Sequence, residues 1–127
     1  MLYINSPNVD YNIFLTEQGP ICQSSKMTNT VIGPNSCGIE PENLVLTCTV
    51  QYHGNEVPIL EWRNLVSNDT ISKGITRGSN DTYVTLSLTM TVDNSIDDTS
   101  YLCQTIISTP DPYSCQIGPI VVQGKCK

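Results

Sequence analysis

Two long stretches of the chain alternate apolar and polar positions with a period of two. In residues 43–52 (NLVLTCTVQY), Leu44, Leu46, Cys48, Val50 and Tyr52 share one face, and Thr47, Thr49 and Gln51 fall on the other. In residues 83–92 (YVTLSLTMTV), Val84, Leu86, Leu88, Met90 and Val92 share a face, and four of the five residues opposite are Ser or Thr. A strand places successive side chains on opposite sides, so both stretches predict antiparallel strands buried on one face. Shorter strands are predicted at 59–63 (ILEWR), 101–107 (YLCQTII) and 119–123 (PIVVQ). Turn chemistry separates them at IGPNS, YHGNEVP, SKGITRGSND, DNSIDD and STPDPYS. No helix-length pattern of period 3.6 survives these breaks, and no internal repeat is present. Residues 1–20 alternate poorly and are expected to form an arm or a first edge strand. Residues 21–127 then make up the folded domain.

Composition narrows the picture. A chain of 127 residues is long enough for a single domain with a real apolar core. Its formal charge of −6, with only six Lys and Arg, offers no basic footprint for nucleic acid or anionic lipid. No run of about 18 apolar residues could cross a membrane. The opening MLYINSPNVDYNIF lacks the basic start and apolar run of a secretion signal, which is the expectation for a mature or excised fragment. Six cysteines are an even, high number, and no two lie within ten residues of each other. That spacing argues against metal or redox CxxC pairs and for disulfides formed in an oxidising compartment. Asn68-Asp69-Thr70 and Asn80-Asp81-Thr82 are N-glycosylation sequons in keeping with an extracellular location.

Cys48 lies inward on one predicted strand, and Trp62 follows fourteen residues later on the next. A long strand with inward leucines comes after, and then Asp97-x-Thr99-x-Tyr101-x-Cys103. Over roughly residues 42–123 this resembles the immunoglobulin superfamily, with Cys on strand B, Trp on strand C and a D-x-G/A-x-Y-x-C run entering strand F. The resemblance implies an all-β, two-sheet Greek-key sandwich of seven to eight strands with extra disulfides. It implies a Cys48–Cys103 bond between sheets about 10 Å apart, with Trp62 packed on it. It makes Tyr101 a tyrosine corner whose hydroxyl bonds the backbone of the preceding turn, and it pairs Asp97 with Arg77 or Lys73. Asp93 stands where the family has an apolar residue, so Val92 or Ile96 is expected to plug that corner. The 55 positions from Cys48 to Cys103 are short for a variable-type domain, and G-x-G-T is absent near the end. Both favour an intermediate or C2-like set.

Cys22, Cys37, Cys115 and Cys126 allow three pairings. In this fold the first and last strands run parallel, with Cys22 and Cys37 bracketing one and Cys115 and Cys126 the other. Eleven extended residues span roughly 36 Å, too far for Cys115 to meet Cys126 along an unbroken strand. The parallel solution is Cys22–Cys115 with Cys37–Cys126. A first-strand cysteine joined to a YSC just after strand F also resembles the first domain of interleukin-1-receptor-type ectodomains.

Chemistry has few candidates. His53 has no second histidine, and with the cysteines paired it reads as a solvated residue in the loop after strand B rather than a ligand or base. Asp93, Asp97 and Asp98 lack the ligand spacing of a calcium loop and read as a turn. Met27 and Met90 read as packing residues. No catalytic residue, metal or cofactor is assigned. Binding surfaces remain. Leu102, Gln104 and Ile106 are predicted outward on strand F, beside Ile59, Glu61 and Arg63 on strand C. The loop STPDPYS adds Pro110, Pro112 and Tyr113, a stiffened aromatic contact element. The resulting expectation is an extracellular recognition module of a cell-surface adhesion or immune-type receptor. It would bind a protein ligand, or a second copy of itself, through the C–F–G face. The alternative is a secreted decoy or cytokine-binding protein.

Overall fold

The computed structural model of the protein describes residues 14–15, 19–33, 41–53, 57–106 and 113–123. Cys37, Cys126, Pro110 and Pro112 lie outside them. Among the described residues, ten strands form two five-stranded sheets. In the first, β1 (Phe14–Leu15) and β2 (Ile21–Ser24) lie end to end along one side of β4 (Asn43–His53). On the other side of β4 lie β8 (Tyr83–Thr91) and then β7 (Ile75–Ser79). The second sheet has the order β3 (Thr30–Ile32), β10 (Ser114–Gln123), β9 (Thr99–Ile106), β5 (Ile59–Asn64), β6 (Asp69–Thr70). This is the immunoglobulin-like sandwich.

Alternation explains the core. Leu44, Leu46, Cys48 and Val50 of β4, and Val84, Leu86 and Leu88 of β8, are all buried, facing Leu60, Trp62, Tyr101 and Cys103 across the layers. β4 and β8 pair without interruption from Asn43↔Thr91 to Gln51↔Tyr83, so their apolar faces coincide. Trp62 is fully buried, and its indole Nε1 donates across the sandwich to the Leu86 carbonyl at 3.0 Å. That bond satisfies the one polar group the ring carries into the core.

The structure departs from the alternation at its edges. β7 occupies SKGITRGSND, a stretch rich in turn residues, because an edge strand with one neighbour can stay polar. β10 begins at Ser114 rather than at 119, and a register shift between Ile117 and Ile120 hides its first half from a period-two reading. The first strand is divided. β2 stays with β4, while β3 crosses to the other sheet and runs parallel to β10, Thr30 opposite Val121. With β1 and β6 assigned as well, the count exceeds the seven to eight strands expected.

Two smaller expectations meet different outcomes. Val92 is fully buried and plugs the corner left by Asp93, with Ile96 packed beside it. Met27 is fully exposed and packs against nothing in the core, because it sits in the bend between β2 and β3, outside any strand alternation. Met90 does pack against the core.

Candidate recognition face

Four cysteines form a frame behind the face. Cys22 lies directly opposite Cys48 in the first sheet, and Cys115 directly opposite Cys103 in the second. Cys48–Cys103 joins the sheets with Cα atoms 6.3 Å apart, and Cys22–Cys115 does so alongside at 5.8 Å. The neighbouring bridges are close enough that Cys48 Sγ lies 4.0 Å from Cys115 Sγ. The sulfurs of Cys22, Cys48 and Cys115 also cluster within 4.8 Å of one another. All three belong to disulfides, so the cluster offers no thiolate to a metal.

The foot of the domain differs from the family pattern. Tyr101 is buried, but its hydroxyl makes no hydrogen bond to backbone among the described residues. Burial pushes its phenol above the ordinary value, and the nearby Asp93 carboxylate adds to that. Asp93 caps a 3-10 turn at Asn94–Ile96, its Oδ1 accepting from Ser95 N–H at 2.8 Å. A hydrogen bond from the Ser95 hydroxyl first, and the one from its N–H second, hold the Asp93 carboxyl below its ordinary pKa. Asp97 does not pair with Arg77 or Lys73. Its Oδ1 accepts from Val122 N–H at 2.9 Å, pinning the turn to β10. The reason is register: Arg77 sits opposite Leu86, level with Cys48, far up the sheet from the turn that carries Asp97. His53 is the last residue of β4 rather than part of the loop after it.

The outward face of β5 and β9 assembles the predicted residues. Ile59, Glu61 and Arg63 stand directly opposite Ile106, Gln104 and Leu102. Ile59 is 52% exposed and Ile106 50%, a contiguous apolar pair at one end of the face. Glu61 organises the middle. Its Oε1 accepts from Thr70 Oγ1 at 2.9 Å, and its Oε2 accepts from Gln104 Nε2. Arg63 Nε lies 3.5 Å from the same Oε2 and, though buried, makes no hydrogen bond among the described residues. Thr70 had no sequence signal, since β6 is too short to show a period.

The remaining predicted residues are dispersed. Tyr113 is partly exposed, and its main chain is tied to Thr105, which donates from N–H to the Tyr113 carbonyl at 2.9 Å. Its ring rests on Gly19, where a Cβ would come within 3.2 Å of Tyr113 Cδ1. Asn68 is exposed in the turn between β5 and β6 with φ 62°. Asn80 is exposed before β8, and its Oδ1 accepts from Thr82 N–H at 2.9 Å and Tyr83 N–H at 2.8 Å. The Asn80 amide nitrogen is left outside those bonds.

Comparison with solved structures agrees with the fold. The domain is similar to the crystal structure of Rst D1-D2, with TM-score 0.60 and 10% identity over 84% of this chain and 49% of that one. It is also similar to the full Ig1-Ig3 ectodomain of mouse nectin-like molecule 4, with TM-score 0.57 and 13% identity over 84% of this chain and 34% of that one. The chain therefore spans about half of the first and a third of the second. No protein-family profile matches the sequence, and no curated protein matches it. The domain has the immunoglobulin fold.

Proposed function

We propose that the domain is an extracellular protein-recognition module of a cell-surface adhesion or immune-type receptor. It would hold its partner on the outward face of β5, β9 and β10 and on the loop after β9, including Pro110, Pro112 and Tyr113. The observation that carries this reading is the Ile59–Ile106 pair, half exposed beside an ordered polar centre. Apolar contact next to prearranged hydrogen-bond groups is the usual composition of a protein interface. Glu61 is already oriented by Thr70 and Gln104, so little side-chain entropy is lost when a partner arrives. The Arg63 side chain is partly exposed beside Glu61, which leaves its terminal nitrogens within reach of a carboxylate on the other protein.

Two inter-sheet disulfides support an oxidising environment, and the exposed sequons at Asn68 and Asn80 are proposed to be glycosylated. Among the described residues no helix is long and apolar enough to cross a membrane. The likeness to a multi-domain ectodomain supports recognition rather than catalysis as the activity.

The test compares opposite sheets. Ile106→Asp should fold normally, because the side chain is half exposed, yet abolish self-association in sedimentation and cell-surface staining by the tetramerised domain. Tyr83→Asp, outward on β8 and 43% exposed, should leave both intact. Normal association of Ile106→Asp with loss in Tyr83→Asp would move the binding face to the first sheet.

A further inference from the structure

Cys22, Cys48, Cys103 and Cys115 stand at the corners of a small quadrilateral. Cys22 and Cys48 are register partners on the first sheet, and Cys103 and Cys115 are register partners on the second. Directly opposite residues of an antiparallel pair keep their Cα atoms about 4.5–5.5 Å apart. Across the layers the Cα separations are 5.8 Å for Cys22–Cys115 and 6.3 Å for Cys48–Cys103. The four sides are therefore similar in length, and all four side chains meet between the sheets.

A tetrahedral zinc centre with Zn–S bonds of about 2.3 Å sets its sulfurs about 3.8 Å apart. Cys48 Sγ already lies 4.0 Å from Cys115 Sγ, from one bridge to the other. The sulfurs of Cys22, Cys48 and Cys115 all fall within 4.8 Å of one another. Once a bridge is opened, its two sulfurs spread from bonding distance to van der Waals contact by turning about their Cα–Cβ bonds. That contact spacing is close to the one a bound metal requires. The site also has a way in. Cys48 and Cys103 are fully buried, whereas Cys22 and Cys115 are only partly so. Water on that side offsets the surplus negative charge of a divalent ion held by four thiolates.

We propose that, with both bridges reduced, these four cysteines form a tetrathiolate site for zinc. Reduction is by a dithiol. Each bridge takes two electrons and two protons, and the dithiol closes to its own cyclic disulfide. Zinc then binds the four sulfurs and displaces their protons. Thiolate sulfur selects a soft ion, and zinc accepts the tetrahedron that two facing pairs present. The metal fastens the sheets where the bridges otherwise do, so metal and bridges are alternatives. The site lies in the core, apart from the outward face of β5 and β9.

The test uses the chain carrying Cys37→Ser and Cys126→Ser, which leaves the four core cysteines as its only thiols. It is reduced with dithiothreitol in urea, freed of both under nitrogen, and titrated with cobalt(II), the coloured stand-in for zinc. One equivalent should give the thiolate charge-transfer and ligand-field bands of a tetrahedral site and restore the strand circular dichroism. Zinc should displace the colour. Trp62 is the only tryptophan and stands opposite Cys103, so its indole N–H signal in NMR should be sharp with zinc and strongly perturbed by paramagnetic cobalt. Cys115→Ala should shift the bands and weaken cobalt binding by roughly tenfold or more, since losing a ligand costs at least what disturbing an outer partner does. Equal affinity and spectrum in Cys115→Ala would overturn the proposal. So would the absence of tetrahedral bands, colour without strand signal or Trp62 perturbation, or the same colour with the chain left oxidised.

Discussion

Cys103 and Trp62 show how much of the domain rests on single side chains. Cys103 is fully buried and fastens β9 to β4, while Trp62 fills the space beside it and bonds Leu86 across the layers. Loss of a native disulfide in a small domain typically costs about 2–5 kcal/mol. Cys48→Ala with Cys103→Ala should lower the urea midpoint by a corresponding amount, and an unchanged midpoint would contradict the pairing. The double variant is the clean one. Cys103→Ala alone leaves a Cys48 thiol 4.0 Å from Cys115 Sγ, placed to exchange into the neighbouring bridge. Gly74 carries a second residue-scale prediction. Its φ is +76°, and an added Cβ would meet the Thr89 carbonyl oxygen at 2.4 Å. Gly74→Ala should therefore destabilise the β7 edge by about 1–3 kcal/mol, read as a lower urea midpoint.

Among the elements, β3 depends on a clamp that its own three residues do not supply. Glu42 accepts from Ile32 N–H through Oε1 at 2.7 Å and pairs through Oε2 with Lys26 Nζ at 2.6 Å. Its own N–H donates to the Ile32 carbonyl at 3.1 Å, so one residue ties the end of β3 to the start of β4. The Lys26 bond first, and the Ile32 bond second, hold the Glu42 carboxyl below its ordinary pKa. A carboxyl lowered in this way stabilises the fold while it is ionised. The contribution begins to fade as pH drops below the unfolded-state glutamate value and is gone below the lowered folded value. Wild type should therefore lose more stability than Glu42→Gln between neutral pH and that acid range. The effect should be modest, because an exposed ion pair is screened by water and salt. Parallel acid-unfolding curves for the two proteins would refute the clamp.

At the scale of the whole molecule, the last cysteine pair can be argued from strand direction. β3 and β10 run parallel and side by side to their ends, Ile32 opposite Gln123, with Gly33 N–H donating to the Gln123 carbonyl at 2.8 Å. Both segments therefore leave the sandwich at the same end, one heading toward Cys37 and the other toward Cys126. Non-reducing peptide mapping should recover Cys37 joined to Cys126, alongside Cys22–Cys115 and Cys48–Cys103. Cys37 recovered with any other partner would break the argument from parallel strands.

What the sequence by itself determined was the frame. Period-two alternation with buried leucines and valines needs no distant information to be read, so β4, β5, β8 and β9 and their inward faces were legible. The Cys48, Trp62, Tyr101 and Cys103 spacing was equally legible, because each residue type is imposed by one place in a packed sandwich. The outward set of Ile59, Glu61, Arg63, Leu102, Gln104 and Ile106 followed from the same alternation. Only the tertiary structure decided the rest. β6, β7 and the first half of β10 are held by neighbours rather than by apolar pattern, so their residues carry no local signal. The partner of Asp97 depends on how far Arg77 stands from the turn, which register sets. The Glu61 network joins residues from separate strands, and packing alone brings them together.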